Sequence, residues 1–129
     1  MERRDPLTLK GIDIMSDSLA LTESTYYILL ALFRPQHGYG IMQQVEEMSA
    51  GRIRLAAGTL YGALSAMTDK GWIIQLPVED GSRRKDYAIT EKGIKVLVNE
   101  VLRLRELLSN GEAVIGTELP ALTGTKGEI

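Results

Sequence analysis

The chain contains no cysteine, which excludes a disulfide framework, a thiolate zinc site and a thiol nucleophile. It has a single histidine, His37, so a histidine metal site or a Ser-His pair is hard to assemble within one chain. The longest uncharged stretch, Leu55–Thr68, is interrupted by glycine and threonine and too short to span a bilayer. Near the start, Arg3, Arg4, Asp5, Lys10, Asp13 and Asp17 leave no apolar core for a secretory signal. Paired catalytic carboxylates are equally scarce. Glu46 and Glu47 are helix neighbours that point apart, and Glu79 and Asp80 lie in a polar loop. The Gly38-Tyr39-Gly40 fragment lacks the third glycine and the lysine of a phosphate loop. These absences lead to the expectation of a cytoplasmic, non-enzymatic protein with no metal, cofactor or membrane segment.

What remains is an ordinary globular composition, 25% charged and 44% apolar over 129 residues, enough for one domain with or without an appended dimerisation element. The net charge of −2 hides an uneven distribution. Residues 1–49 carry four basic and seven acidic groups, residues 50–95 eight and five, and residues 96–129 three and five. Electrostatic attraction decays over about 8 Å at physiological salt, so the basic middle third is where a polyanion would be met.

The apolar pattern predicts four helices. Thr22 is placed to cap the first, and the continuous apolar run Tyr26–Phe33 marks it as the central helix of a small bundle, stopped by Pro35. A turn at residues 37–40 leads into a second helix, about Tyr39–Ser49, ended by Gly51. The alternation Arg52-Ile53-Arg54-Leu55 predicts a short edge strand. A third helix, about Ala57–Lys70, repeats Leu60, Ala63, Leu64 and Met67 on its core face, with Gly71 as its left-handed stop. Two strand-like runs, 72–76 and 83–89, flank an Asp80-Gly81 turn and form a hairpin, with Pro77 marking an edge. Thr90 caps a fourth helix to about Ser109, and the glycine-punctuated remainder is a flexible tail. Helix, helix, strand, helix, hairpin, long helix is the plan of a winged helix-turn-helix, mainly α with a small β-hairpin, whose third helix enters the DNA major groove. The expected organisation is an N-terminal extension (1–20), a winged-helix DNA-binding domain (21–90), a C-terminal dimerisation helix (91–110) and a tail (111–129).

Two faces carry the functional expectation. With its core face inward, the third helix turns Tyr61, Gly62, Ser65, Ala66 and Asp69 outward, with Thr59 in its first turn. Hydroxyls at Thr59, Tyr61 and Ser65 suit phosphates or base edges. An exposed mid-helix glycine costs about 1 kcal/mol against alanine, so Gly62 needs a reason: close approach of a sugar-phosphate backbone, or packing against the wing. The cations Arg83, Arg84 and Lys85 follow the hairpin turn and suit phosphate contacts, and Arg52 and Arg54 are expected to reinforce the same face. On the fourth helix, Ile94, Leu97, Val98, Val101, Leu104 and Leu108 form one apolar stripe, which Val96 and Leu107 widen beyond half the circumference. A single domain surface needs a stripe only a little over 100° wide. The excess predicts a homodimer, with Arg105 inside the stripe needing a carboxylate or solvent.

Five segments fall in the order and spacing of one family: residues 27–32, His37-Gly38-Tyr39-Gly40-Ile41, Gly58-Thr59-Leu60-Tyr61, Lys70-Gly71-Trp72-Ile73, and the run from Arg83 to Gly93. Over residues 21–95 the chain resembles the PadR-family transcriptional regulators, in the short form with a single C-terminal helix. The resemblance implies a dimeric regulator, usually a repressor, acting on double-stranded DNA at an inverted-repeat operator. It adds Tyr39 to the DNA-facing residues Thr59, Tyr61, Arg83, Arg84 and Lys85. In some relatives a small hydrophobic or aromatic effector binds at the dimer interface. Asp86 stands here where an aromatic residue is common in the family. The alternatives are a winged-helix protein-interaction module or a ligand-binding module without DNA binding; the acidic overall balance and Asp86 motivate the first.

Overall fold

The computed structural model describes residues 20–78 and 84–116. Thr22 caps the first helix, α1 (Glu23–Ala31), its hydroxyl accepting from the Thr25 N–H at 3.1 Å, with Glu23 in the first turn favoured by the helix dipole. After α1 come β1 (Gln36–His37), α2 (Gly38–Met48), α3 (Ala57–Asp69), β2 (Ile73–Gln75), β3 (Asp86–Ile89) and α4 (Glu91–Ile115). The strands form one antiparallel sheet in the order β1-β3-β2, in which Tyr87 of the central strand is paired with both Gln36 and Gln75. Pro77 accordingly follows an edge strand, where its missing N–H costs no ladder bond. The hairpin turn at residues 79–83 lies outside the described residues, as do residues 1–19 and 117–129.

Ile28, Leu29 and Leu32 of the first helical segment meet Ile41 and Val45 of α2, Leu60, Leu64 and Met67 of α3, Ile73, Tyr87 and Leu97 in one buried core. Each large aliphatic side chain fully removed from water contributes about 1.5–3 kcal/mol. This cluster therefore fixes which face of α3 is left outside. The α3–β2 junction is set by Gly71, at φ +79°, which stops the helix in the left-handed region as its position predicts. Across the same junction the Thr90 hydroxyl lies 2.6 Å from the Gly71 carbonyl oxygen and 3.0 Å from that of Trp72, while accepting from the Gly93 N–H at 3.0 Å. One threonine thus caps α4 and ties it to the end of α3.

Three expectations differ from the structure. Residues 37–40 are not a turn: His37 belongs to β1 and Gly38, Tyr39 and Gly40 open α2. Both glycines there are close-approach positions. A Cβ on Gly38 would collide with the Tyr61 hydroxyl, and one on Gly40 would lie 2.5 Å from Gln36 Oε1. Residues 52–55 keep the predicted alternation of exposure but form no strand. The Ser49 hydroxyl takes the Ile53 N–H at 3.0 Å, which satisfies the backbone without a sheet partner. Finally, α4 runs to Ile115, with Gly111 inside it rather than after it. A glycine in an exposed helix costs about 1 kcal/mol, too little to end a helix of this length.

Two compact units divide at Asn99, within α4. In the second, Arg103 makes a forked pair with Glu100, at 2.9 Å from Nε to Oε1 and 2.6 Å from Nη2 to Oε2. The hydrogen bonds to Glu100 raise the Arg103 pKa further above its ordinary value.

Candidate nucleic-acid interface

The outward face of α3 follows from its core face. With Leu60, Leu64 and Met67 buried, Gly58, Thr59, Tyr61, Gly62, Ser65, Ala66 and Asp69 are exposed. A Cβ on Gly58 or Gly62 would meet no atom of the described residues within 4 Å. Gly62 therefore does not pack against the described part of the wing, and the described protein atoms supply no reason for its missing side chain. The helix start is bare as well: no side chain caps the first turn of α3 after Ala56. Uncapped N-terminal amides with the positive end of the helix dipole favour an anion.

Tyr61 is 47% exposed and Tyr39 61%. The Tyr61 ring crosses from α3 to the first turn of α2, where Gly38 leaves room for its hydroxyl. His37, the residue before that turn, makes no side-chain capping bond, so α2 too begins without a side-chain cap. His37, Gly38, Tyr39, Tyr61, Arg84 and Lys85 together line an open hollow of about 310 Å³. Two cations, two phenols and the start of a helix form its walls, and every polar group among these side chains and amides can donate a hydrogen bond. The arrangement suits a phosphodiester.

Tyr87, in the middle strand, is 7% exposed. Burial, followed by the nearby Tyr61, raises its phenol pKa above the ordinary tyrosine value. Arg84 Nε lies 3.4 Å from Asp86 Oδ1, so part of the wing's positive charge is already matched within the chain. That oxygen is buried and has no hydrogen bond, so the contact with Arg84 is an ion pair without hydrogen-bond geometry.

The structure brings Tyr39, Tyr61, Arg84 and Lys85 to one hollow. Thr59 and Ser65 are exposed on α3 but do not line it, and Arg83 lies outside the described residues. Arg52 and Arg54 do not reinforce this face. Arg52 pairs with Glu23 of α1, and Arg54 Nε lies 3.2 Å from Glu46 Oε2 of α2. His37 and Gly38 were not expected at the site; the signal available was the pair of glycines flanking Tyr39. On α4, Leu97 is buried in the core of its own chain, and Ile94 and Val101 are half-buried. Val98 and Leu104 are each 38% exposed and Leu108 61%. Leu102 and Leu107 are exposed alongside them, and Arg105 is exposed to solvent. No helix among the described residues is long and apolar enough to cross a membrane, and no cluster of metal-ligating side chains occurs among them.

Helices packed around a three-stranded sheet, with a hairpin after the third helix, define a winged helix-turn-helix protein. The model of the transcriptional regulator PadR-like family matches residues 28–99, more than half of the chain, and the protein belongs to that family of transcriptional regulators. A PadR family transcription regulator from Clostridium difficile R20291 is 26% identical, with a TM-score of 0.61 over 76% of this chain and 99% of its own. A PadR family regulator from Eggerthella lenta is 24% identical (TM-score 0.55, 88% and 91% covered), and a transcriptional regulator from Clostridium thermocellum 23% (TM-score 0.55, 81% and 96%). The latter two likenesses establish the fold alone. No curated protein matches the sequence.

Proposed function

We propose that the protein is a homodimeric, sequence-specific DNA-binding repressor. The observation that carries this reading is the outward face of α3. It presents hydroxyls at Thr59, Tyr61 and Ser65 and two glycines with open space above them, beside a hollow walled by Arg84 and Lys85. In the complex, α3 enters the major groove, Thr59, Tyr61 and Ser65 reach bases and adjacent phosphates, and Tyr39 and the wing cations Arg83, Arg84 and Lys85 hold the backbone. A second copy joins through the apolar side of α4, where Val98, Leu104 and Leu108 are exposed. Pairing two copies sets two α3 helices about 34 Å apart, in successive major grooves of an inverted repeat. Relief of repression by a small hydrophobic or aromatic ligand rests on the family resemblance; a concentration-dependent rise in Tm with such compounds tests it.

The wing supplies the experiment. Lys85 is exposed, whereas Arg84 is tied to Asp86. Lys85→Ala is expected to reduce the slope of log affinity against log salt by about 1 without altering sequence preference, and Arg84→Ala by less. An unchanged slope for Lys85→Ala contradicts the wing assignment. Absence of any shift of the DNA upstream of its own gene at low salt favours a protein-interaction module instead.

A further inference from the structure

A glycine in the first turn of a helix is usually replaceable, because alanine forms helix better. Gly38 is an exception with a specific cause. It is buried, its φ is not in the left-handed region, and the neighbour that forbids a side chain is not backbone but the end of one aromatic ring. A Cβ there would collide with the Tyr61 hydroxyl and stand 2.8 Å from Tyr61 Cζ, with Leu60 Cδ2 at 3.4 Å. The ring belongs to α3 and the glycine to α2, so the absence of a side chain on one helix fixes the direction of a side chain on the other. Tyr61 remains 47% exposed in this position and shares the hollow with Arg84 and Lys85. No described atom lies within 4 Å of a Cβ on neighbouring Gly62, whereas at Gly38 the end of the Tyr61 ring occupies the place a side chain would take.

We infer that Gly38 is a positioning residue for DNA binding: it holds the Tyr61 hydroxyl in the cationic hollow, where the phenol donates to a backbone phosphate. The inference rests on the DNA-binding reading above. Adding one methyl group at residue 38 drives the ring out of the hollow, and the phosphate contact is lost although neither Tyr61 nor any cation has been changed.

The test is a double-mutant cycle on the full chain with Gly38→Ala and Tyr61→Ala, read as affinity for a mixed-sequence duplex of about 30 base pairs at about 50 mM salt. Gly38→Ala alone is expected to weaken binding by about tenfold, and by less than about twofold when Tyr61→Ala is already present. A merely structural role for Gly38 gives equal losses in both backgrounds. In parallel, ring-labelled tyrosine spectra of the free protein should show the Tyr61 resonance displaced by Gly38→Ala while those of Tyr26 and Tyr27 stay in place. Equal losses in the cycle, or an unmoved Tyr61 resonance, overturn the positioning role. Failure of the unaltered chain to bind the duplex overturns the DNA-binding reading itself, an outcome the ring spectra of the free protein keep separate.

Discussion

Gly62 is the residue at which stability and function are expected to part. It sits in the interior of α3, exposed, with no atom of the described residues within 4 Å of where a Cβ would be. Alanine there should stabilise the fold by about 1 kcal/mol through helix propensity alone. If α3 lies against a sugar-phosphate backbone, the same methyl group should weaken DNA binding. Gly62→Ala is therefore predicted to raise the urea midpoint and lower DNA affinity together, and a rise in both contradicts the close approach. Tyr87 gives a prediction in pH. Its folded pKa is raised by burial and by Tyr61, so the folded state binds the phenolic proton more tightly than the unfolded chain does. The corresponding stability is complete below the ordinary tyrosine value of about 10 and is lost as pH rises through the folded pKa. Urea midpoints at pH 9 and 11 should fall less steeply for Tyr87→Phe than for the unaltered chain. Equal falls contradict a perturbed phenol.

At the scale of elements, the parts legible in the sequence were those with a sustained period or a chemically specific punctuation. The α3 core face was readable because Leu60, Leu64 and Met67 recur at helical spacing, and all three are buried. Thr22, Thr90 and Gly71 were readable because a cap and a left-handed stop each demand a particular residue type. By contrast, β1 is two residues long, shorter than any alternation, and exists only because β3 offers it an edge. The segment 52–55 alternates as a strand would, but its alternation is satisfied by a loop. Ile53 and Leu55 pack against the core, Arg52 and Arg54 take carboxylates on α1 and α2, and Ser49 receives the backbone amide. Sequence alternation reports which side chains are covered; it does not report whether another strand lies alongside. The same limit applies to the hollow. Tyr61 and the wing cations were recognisable by type, but the role of Gly38 depends on a neighbour more than 20 positions away in the chain, which no local pattern contains.

For the whole molecule, α4 is the element through which the proposed pairing of two copies would run. Leu97 serves the chain's own core, while Val98, Leu102, Leu104, Leu107 and Leu108 remain exposed. These exposed apolar side chains are the surface proposed to meet a second copy. Leu104→Glu combined with Leu108→Glu should convert a dimer into a monomer in sedimentation, with the winged helix still folded. Because one wing and one α3 then act alone, DNA affinity should fall by at least about a hundredfold, the ordinary scale of lost bivalency. A sedimentation coefficient unchanged by both substitutions contradicts the assignment of this face to a second copy.

The most direct measurement is selection of binding sites from random double-stranded DNA by the purified full chain. If paired α3 helices read successive major grooves, the recovered sequences should share an inverted repeat with half-sites centred about 10 base pairs, or a multiple of one helical turn, apart. Recovery of no common sequence, or of no DNA at all at low salt, would contradict it.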